Sequence, residues 1–248
     1  MAKVLITGAA GYLGAFVVER LRSRYELTLT DRVQPREDLA GLRFLQGDIT
    51  DYAHVERACE GQDAVVHLVA LVRERHDKPP SLFSDVMVKG TWHVAEACVR
   101  QGVGRLVNIS SVIACGGMPW GSGPYRVTDP SRFAQGDLFY CLAKHLGEQI
   151  GYAYHQAHGL SVIHLRPGVI AGDGANVGPQ RPAAPEGPWF VYVDPRDVAQ
   201  AVELALQAEG LSYGCYNIVA GREDSLFDWS DAARDLGYRP EFNWPEIP

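Results

Sequence analysis

Tyr140 and Lys144 stand four residues apart in the segment DLFYCLAK. On a helix that spacing puts both side chains on one face, and Asp137 is placed to cap the helix N-terminus. An ammonium beside a phenol favours the phenolate. It draws the tyrosine from its free pKa of about 10 toward working pH and lets it serve as general base or general acid. With 11 tyrosines and four lysines in the chain, a Y-x-x-x-K pair arises by chance on the order of 0.2 times. A surface tyrosine beside a solvated lysine would carry the same letters, and the spacing alone leaves that open.

A second constellation lies near the start. Gly8, Gly11 and Gly14, in TGAAGYLG, fall between an apolar run and an amphipathic one. Missing side chains there let the backbone turn tightly and approach a pyrophosphate at a helix N-terminus. The spacing is G-x-x-G-x-x-G, and three glycines in a tight turn need not bind anything. Asp31 lies close to the roughly twenty-residue distance at which a carboxylate accepts hydrogen bonds from adenine ribose hydroxyls. It would repel a 2′-phosphate and so favours NAD, whereas the adjacent Arg32 could accommodate the phosphate of NADP.

Ser110 and Ser111 end a further apolar run, where a hydroxyl could bond a substrate oxygen passing between alcohol and carbonyl. His155 and His158 have no acidic or cysteine partner close in sequence, so no metal site is expected. The cysteines Cys59, Cys98, Cys115, Cys141 and Cys215 are scattered without a C-x-x-C pair. They read as reduced, mostly buried thiols.

The elements that must position these residues follow from periodicity. Apolar runs predict strands over Val4–Thr7, Leu27–Thr30, Arg43–Gln46, Ala64–Leu68, Leu106–Ser110 and Ser161–Leu165. Three-and-four spacing predicts helices near Tyr12–Ser23, Tyr52–Cys59, Phe83–Arg100 and Leu138–His158. The alternation is that of βαβ units: an α/β fold with a Rossmann-type doubly wound parallel sheet and a small C-terminal substrate-binding region. Residues 167–188 are dense in Gly and Pro and read as loop. A helix near Pro195–Gln207 and a strand near Cys215–Val219 return the chain to the sheet. One domain of 248 residues is expected. Residues 1–166 and 195–220 form its dinucleotide-binding core, and 167–194 and 221–248 its substrate-binding segments.

A net charge of −7 with no Lys/Arg block argues against a nucleic-acid partner, which needs concentrated positive charge. No stretch approaches 18 apolar residues, and the chain opens on the strand-like AKVLITG, so neither a membrane partner nor a leader is expected and the location reads as cytoplasmic.

With these segments in view, the chain resembles the extended short-chain dehydrogenase/reductases, the NAD-dependent epimerase/dehydratase family. TGAAGYLG is similar to its cofactor loop, GDITD at Gly47–Asp51 to its adenine-side segment, and HLVA at His67–Ala70 to its fourth-strand motif. SSVIACG at Ser110–Gly116 resembles the family's SSxxxYG, and YCLAK its Tyr/Lys motif. LRPG at Leu165–Gly168, YVDPRDVAQA at Tyr192–Ala201 and LGYRP at Leu236–Pro240 resemble later landmarks. The resemblance implies Ser111, Tyr140 and Lys144 as catalytic residues. It implies cofactor contacts from Gly8, Gly11, Tyr12, Leu13, Gly14, Asp31 and Arg32, from Asp48, Ile49, Leu68, Val69 and Ala70, and from Tyr140, Lys144 and Pro167. Two positions depart: Met87 stands where the family usually has Asn, and Cys115 where it usually has Tyr.

Family dehydratases follow the Ser or Thr with an Asp-Glu pair, and Val112 and Ile113 replace it here, which speaks against dehydration. The little chain after LGYRP speaks against a nucleotide-sugar substrate. The resemblance is greatest to the uronate dehydrogenase branch and implies a small sugar-like substrate contacted by Ser111, Val112 and Arg181, the last as a carboxylate clamp. A nucleotide-sugar epimerase and a non-catalytic dinucleotide sensor stay open as alternatives. A homodimer through the helices Phe83–Arg100 and Leu138–His158 is implied by the family.

Overall fold

Side chains that alternate along a strand must alternate between two cores, and this chain does so throughout. The computed structural model describes residues 1–34, 39, 41–71, 79–116, 123–133, 138–170, 192–221 and 225–242. Its first half runs β1 (Lys3–Thr7), α1 (Tyr12–Leu21), β2 (Glu26–Asp31), β3 (Arg43–Gln46), α2 (Tyr52–Cys59) and β4 (Ala64–His67). Then come α3 (Pro80–Phe83), a π-helical segment (Ser84–Lys89), α4 (Gly90–Gln101), β5 (Arg105–Ile109), a 3₁₀ turn (Val112–Cys115) and α5 (Leu138–His158). The remainder is β6 (Ser161–Pro167), β7 (Val169–Ile170), β8 (Tyr192–Val193), α6 (Pro195–Gln207), β9 (Tyr213–Ile218) and α7 (Ser230–Asp235).

Seven parallel strands form one sheet in the order β3-β2-β1-β4-β5-β6-β9, and β7 pairs with β8 apart from it. On one face Val4, Ile6, Val66 and Val107 pack against Val17 and Val18 of α1 and Val198 and Val202 of α6. The residues between them, Leu5, Val65 and Leu106, point to the other face, where Val55 of α2 and Val94 and Cys98 of α4 cover them. This is the doubly wound arrangement. Strands β1, β2 and β3 build one way and β4, β5, β6 and β9 the other, so the winding reverses between β1 and β4, and a crevice opens at their carboxyl ends.

Several contacts set the frame of that crevice. Asp51 caps α2 by accepting from the Ala53 and His54 amides, and Asp194 caps α6 with Pro195 in its first turn. Arg20 of α1 and Arg24 in the turn after it both reach the buried Glu203 of α6. The expected helix Phe83–Arg100 is longer, and its middle is π-helical. There the Thr91 hydroxyl donates to the Met87 carbonyl at 2.6 Å. Strand β6 runs past Leu165 to Pro167, so Arg166 is a strand residue. The described part of the C-terminal segment joins the main core: Tyr238 is fully buried there and donates to the Val219 carbonyl at 3.0 Å.

Candidate active site

The glycine turn leaves β1 at its carboxyl end. Gly8 has φ +74°, and a Cβ there would lie 3.0 Å from the Val69 amide nitrogen. A Cβ on Gly14 would lie 2.2 Å from the Ala9 carbonyl oxygen, so α1 starts directly under the turn only because that side chain is missing. The Asp31 carboxylate accepts from the Ala10 amide at 3.1 Å and from the Val33 amide at 3.3 Å. It therefore sits beside the turn, at the end of β2.

A cavity of about 180 Å³ lies over this edge. Gly8, Gly11, Asp31, Arg32, Asp48, Ile49, Leu68, Val69 and Ala70 line it. These are nine of the residues implicated by sequence. Asp48 is held below the usual carboxylate range: burial opposes ionisation, but the Thr50 amide at 2.9 Å and hydroxyl at 2.8 Å outweigh it. Tyr12, Leu13 and Gly14 lie on the first turn of α1 behind the glycine loop, and Pro167 at the end of β6. Sequence reasoning did not single out Thr7, Thr30, Gly47, His54, Leu71 and Val86, which also line the cavity. Thr30 donates its hydroxyl to the Leu45 carbonyl at 2.7 Å, so His54, 2.8 Å away, must donate through Nε2. The donors, the carboxylates and the space for backbone approach fit an adenine dinucleotide.

On α5, Tyr140 and Lys144 are both buried, one turn apart on the inward face. The Lys144 ammonium donates to the Ile109 carbonyl at the end of β5, 2.6 Å away. Burial pushes Lys144 down to about 8, while the Glu148 carboxylate holds it up. The Tyr140 ring shares an apolar cluster with Leu71, Phe83, Met87 and Ala143. Met87, the departure from the family Asn, thus packs in the cluster that holds the phenol. Asp137 and Arg181 lie outside the described residues.

The two serines are sorted by their partners. Ser110 donates to Glu148 Oε1 at 2.5 Å and is committed to the interior. Ser111 caps the 3₁₀ turn, accepting from the Ile113 amide at a long 3.4 Å; this leaves its proton to donate elsewhere. Val112 is buried against Val219 and Phe227, with Tyr125 and Tyr192 beside them. Cys115 donates to the Val112 carbonyl at 3.0 Å, and burial raises its thiol.

Behind the site runs a neutral hydrogen-bonded string. Thr91 spends its proton on Met87, so it must accept from His67 Nε2 at 3.2 Å, and His67 Nδ1 then accepts from the Thr7 hydroxyl at 2.7 Å. Burial, aided by the nearby Lys144 charge, pushes His67 down to about 3. Among the described residues no helix is long and apolar enough to cross a membrane, and no three His, Cys, Asp or Glu side chains converge as metal ligands.

Comparison with known proteins agrees with this geometry. The NAD dependent epimerase/dehydratase family matches residues 4–184. The chain belongs to that family. Among its relatives is an L-arabinose 1-dehydrogenase (NAD(P)(+)) of Haloferax volcanii, 28% identical over 98% of either chain. A uronate dehydrogenase of Pseudomonas putida is 28% identical over 96% of this chain and 84% of its own. The crystal structure of a uronate dehydrogenase from Agrobacterium tumefaciens superposes with a TM-score of 0.81 at 24% identity, over 98% of this chain and 85% of the other. At that identity the superposition speaks for the fold, and the family membership speaks for the nucleotide end of the site.

Proposed function

We propose that this family member is an NAD-dependent oxidoreductase that interconverts a hydroxyl and a carbonyl on a small, unconjugated sugar of the aldose or uronate type. The observation that carries the reading is the burial of Tyr140 and Lys144 on one face of α5, with the ammonium anchored to the strand end next to Ser111. Ser111 donates to the substrate oxygen, Tyr140 takes its proton in oxidation and returns it in reduction, and the Lys144 charge stabilises the phenolate in between. When bound, the nicotinamide supplies the hydride acceptor or donor. The turn Gly8 to Gly14 would hold the pyrophosphate, Asp31 the adenine ribose, and Asp48 with Ile49 the adenine side. With the anomeric hydroxyl as the reacting group, the product is a lactone.

The assay is NADH absorbance with L-arabinose and other aldoses, with glucuronate and galacturonate, and with UDP-sugars. Reduction of NAD by at least one unconjugated sugar is expected. Interconversion of UDP-sugars without net NADH would overturn the reading in favour of an epimerase.

Cofactor choice rests on Asp31. Replacing it with Ala removes the carboxylate that repels a 2′-phosphate and leaves Arg32, which lines the same cavity. The ratio of kcat/KM for NAD over NADP is expected to fall at least about a hundredfold, the scale of one lost charge-assisted contact plus one relieved repulsion. An unchanged ratio would show that Asp31 does not face the ribose.

We assign the chain to one domain, with residues 1–166 and 195–220 as the dinucleotide core and 167–194 and 221–248 as substrate-binding segments. Five free thiols, three of them buried, suit a reducing cytoplasm. Phe139, Leu142 and Leu146 on α5 and Trp92 on α4 are exposed apolar side chains on two helices that pack together. They fit a homodimer joined through these helices. Light scattering should give a dimer, and Leu142→Glu a monomer; a monomeric parent protein would refute this.

A further inference from the structure

We infer that Glu148 is a positioning residue for this chemistry: its carboxylate ties the helix bearing Tyr140 and Lys144 to two strand ends and sets a fixed negative charge one turn from the ammonium. The inference rests on the oxidoreductase reading above. It starts from spacing, because residues 140, 144 and 148 continue one stripe along α5, and all three are buried. Glu148 receives Arg166 on both oxygens, Nε to Oε1 at 2.8 Å and Nη2 to Oε2 at 2.7 Å. The Ser110 hydroxyl adds a third bond at 2.5 Å, and the Cys215 thiol approaches Oε1 at 3.9 Å.

Each partner sits next to a residue of the site. Ser110 separates Ile109, whose carbonyl receives Lys144, from Ser111, and Arg166 precedes Pro167 at the end of β6. One carboxylate therefore fixes where the ends of β5 and β6 stand relative to the phenol on α5. A buried pair is often no more stabilising than apolar packing, so it is the placement of its partners beside Ile109, Ser111 and Pro167 that points to positioning.

The charge has its own consequence. Lys144 is faced by Glu148 and Tyr140 on its own helix and by the neutral His67 of β4. Glu148 is faced by Arg166 and His164 of β6, Tyr213 and Cys215 of β9 and Cys115 of the 3₁₀ turn. Burial would keep Glu148 protonated, but the Arg166 hydrogen bonds and charge hold it ionised. That fixed anion is the group that keeps the neighbouring ammonium charged.

The chain's four lysines make a direct test practical. In NAD-bound protein labelled with carbon-13 lysine, the Lys144 signal, identified by its loss in Lys144→Arg, is titrated in parallel with the pH profile of kcat/KM. In Glu148→Gln, and in Glu148→Gln/Arg166→Gln where Arg166 is not left as an unpaired buried charge, the Lys144 midpoint is expected to fall by about one pH unit. The alkaline limb of the profile should move with it. Ser110→Ala should lower kcat by about tenfold through lost alignment, with the midpoint in place. A midpoint unmoved in both Gln variants, with activity lost equally at every pH, would overturn the charge effect. Unaltered kcat in Ser110→Ala would overturn the tie. A parent protein inactive on every sugar would defeat the oxidoreductase reading, while the titration would still report on Glu148 and Lys144.

Discussion

Tyr140→Phe is expected to lower kcat by roughly a thousandfold, within the range that a positioned general acid or base contributes. The ring occupies an apolar cluster with Leu71, Phe83, Met87 and Ala143, and phenylalanine fills the same volume, so the fold should be unaffected. NAD affinity should change by no more than about tenfold, the scale of one net hydrogen bond. The two quantities separate cleanly when turnover is read from NADH absorbance and affinity from titration calorimetry. Turnover that survives the substitution would remove Tyr140 from the chemistry and the mechanism with it.

The second large effect belongs to the other end of the site. Alanine in place of glycine inside a helix ordinarily stabilises by about 0.5–1 kcal/mol. At Gly14 the sign should reverse, because the new Cβ would meet the Ala9 carbonyl oxygen at 2.2 Å and its carbon at 2.6 Å. Both are backbone atoms of the glycine turn, so the collision cannot be relieved by a side-chain rotation. The turn must lift from α1, and the amides that would face the pyrophosphate go with it. NAD binding in Gly14→Val is expected to weaken at least about a hundredfold while circular dichroism stays native, since misplaced binding groups lose affinity steeply. Unchanged NAD affinity in that variant would place the dinucleotide elsewhere.

Much of this was readable from the sequence because it depends on local periodicity. Strand β3, helices α2 and α5 and the later α6 fall where apolar spacing puts them, since each strand residue alternates between two cores and each helix shows one apolar face. What periodicity cannot carry is a local change of helical pitch. The π segment Ser84–Lys89 adds no residue type that a helical pattern would flag. The short α7, only six residues long, shows too little periodicity to be read, although Ala232 and the following Leu236 bury against the main core. At the site, Tyr140 and Lys144 were legible as a pair within one helix. Glu148 and Arg166 were not, because they meet across 18 positions and two elements, and nothing in either segment announces the other. His54 was hidden for a similar reason: it lines the cavity because α2 turns its ring toward Thr30. The packing of Val112 against Val219 and Phe227 was likewise out of reach, because it joins segments more than a hundred residues apart.

The string from Thr7 through His67 and Thr91 to Met87 has one further effect. Its polarity is set by an imidazole that stays uncharged down to about pH 3, so every donor along it points the same way through the whole range in which the protein could work. Acid can neutralise or charge groups at the rim, but it does not reverse these bonds. The β1 end under the dinucleotide turn and the helix packed on the phenol are thereby locked in mutual alignment by a latch insensitive to proton concentration across that range.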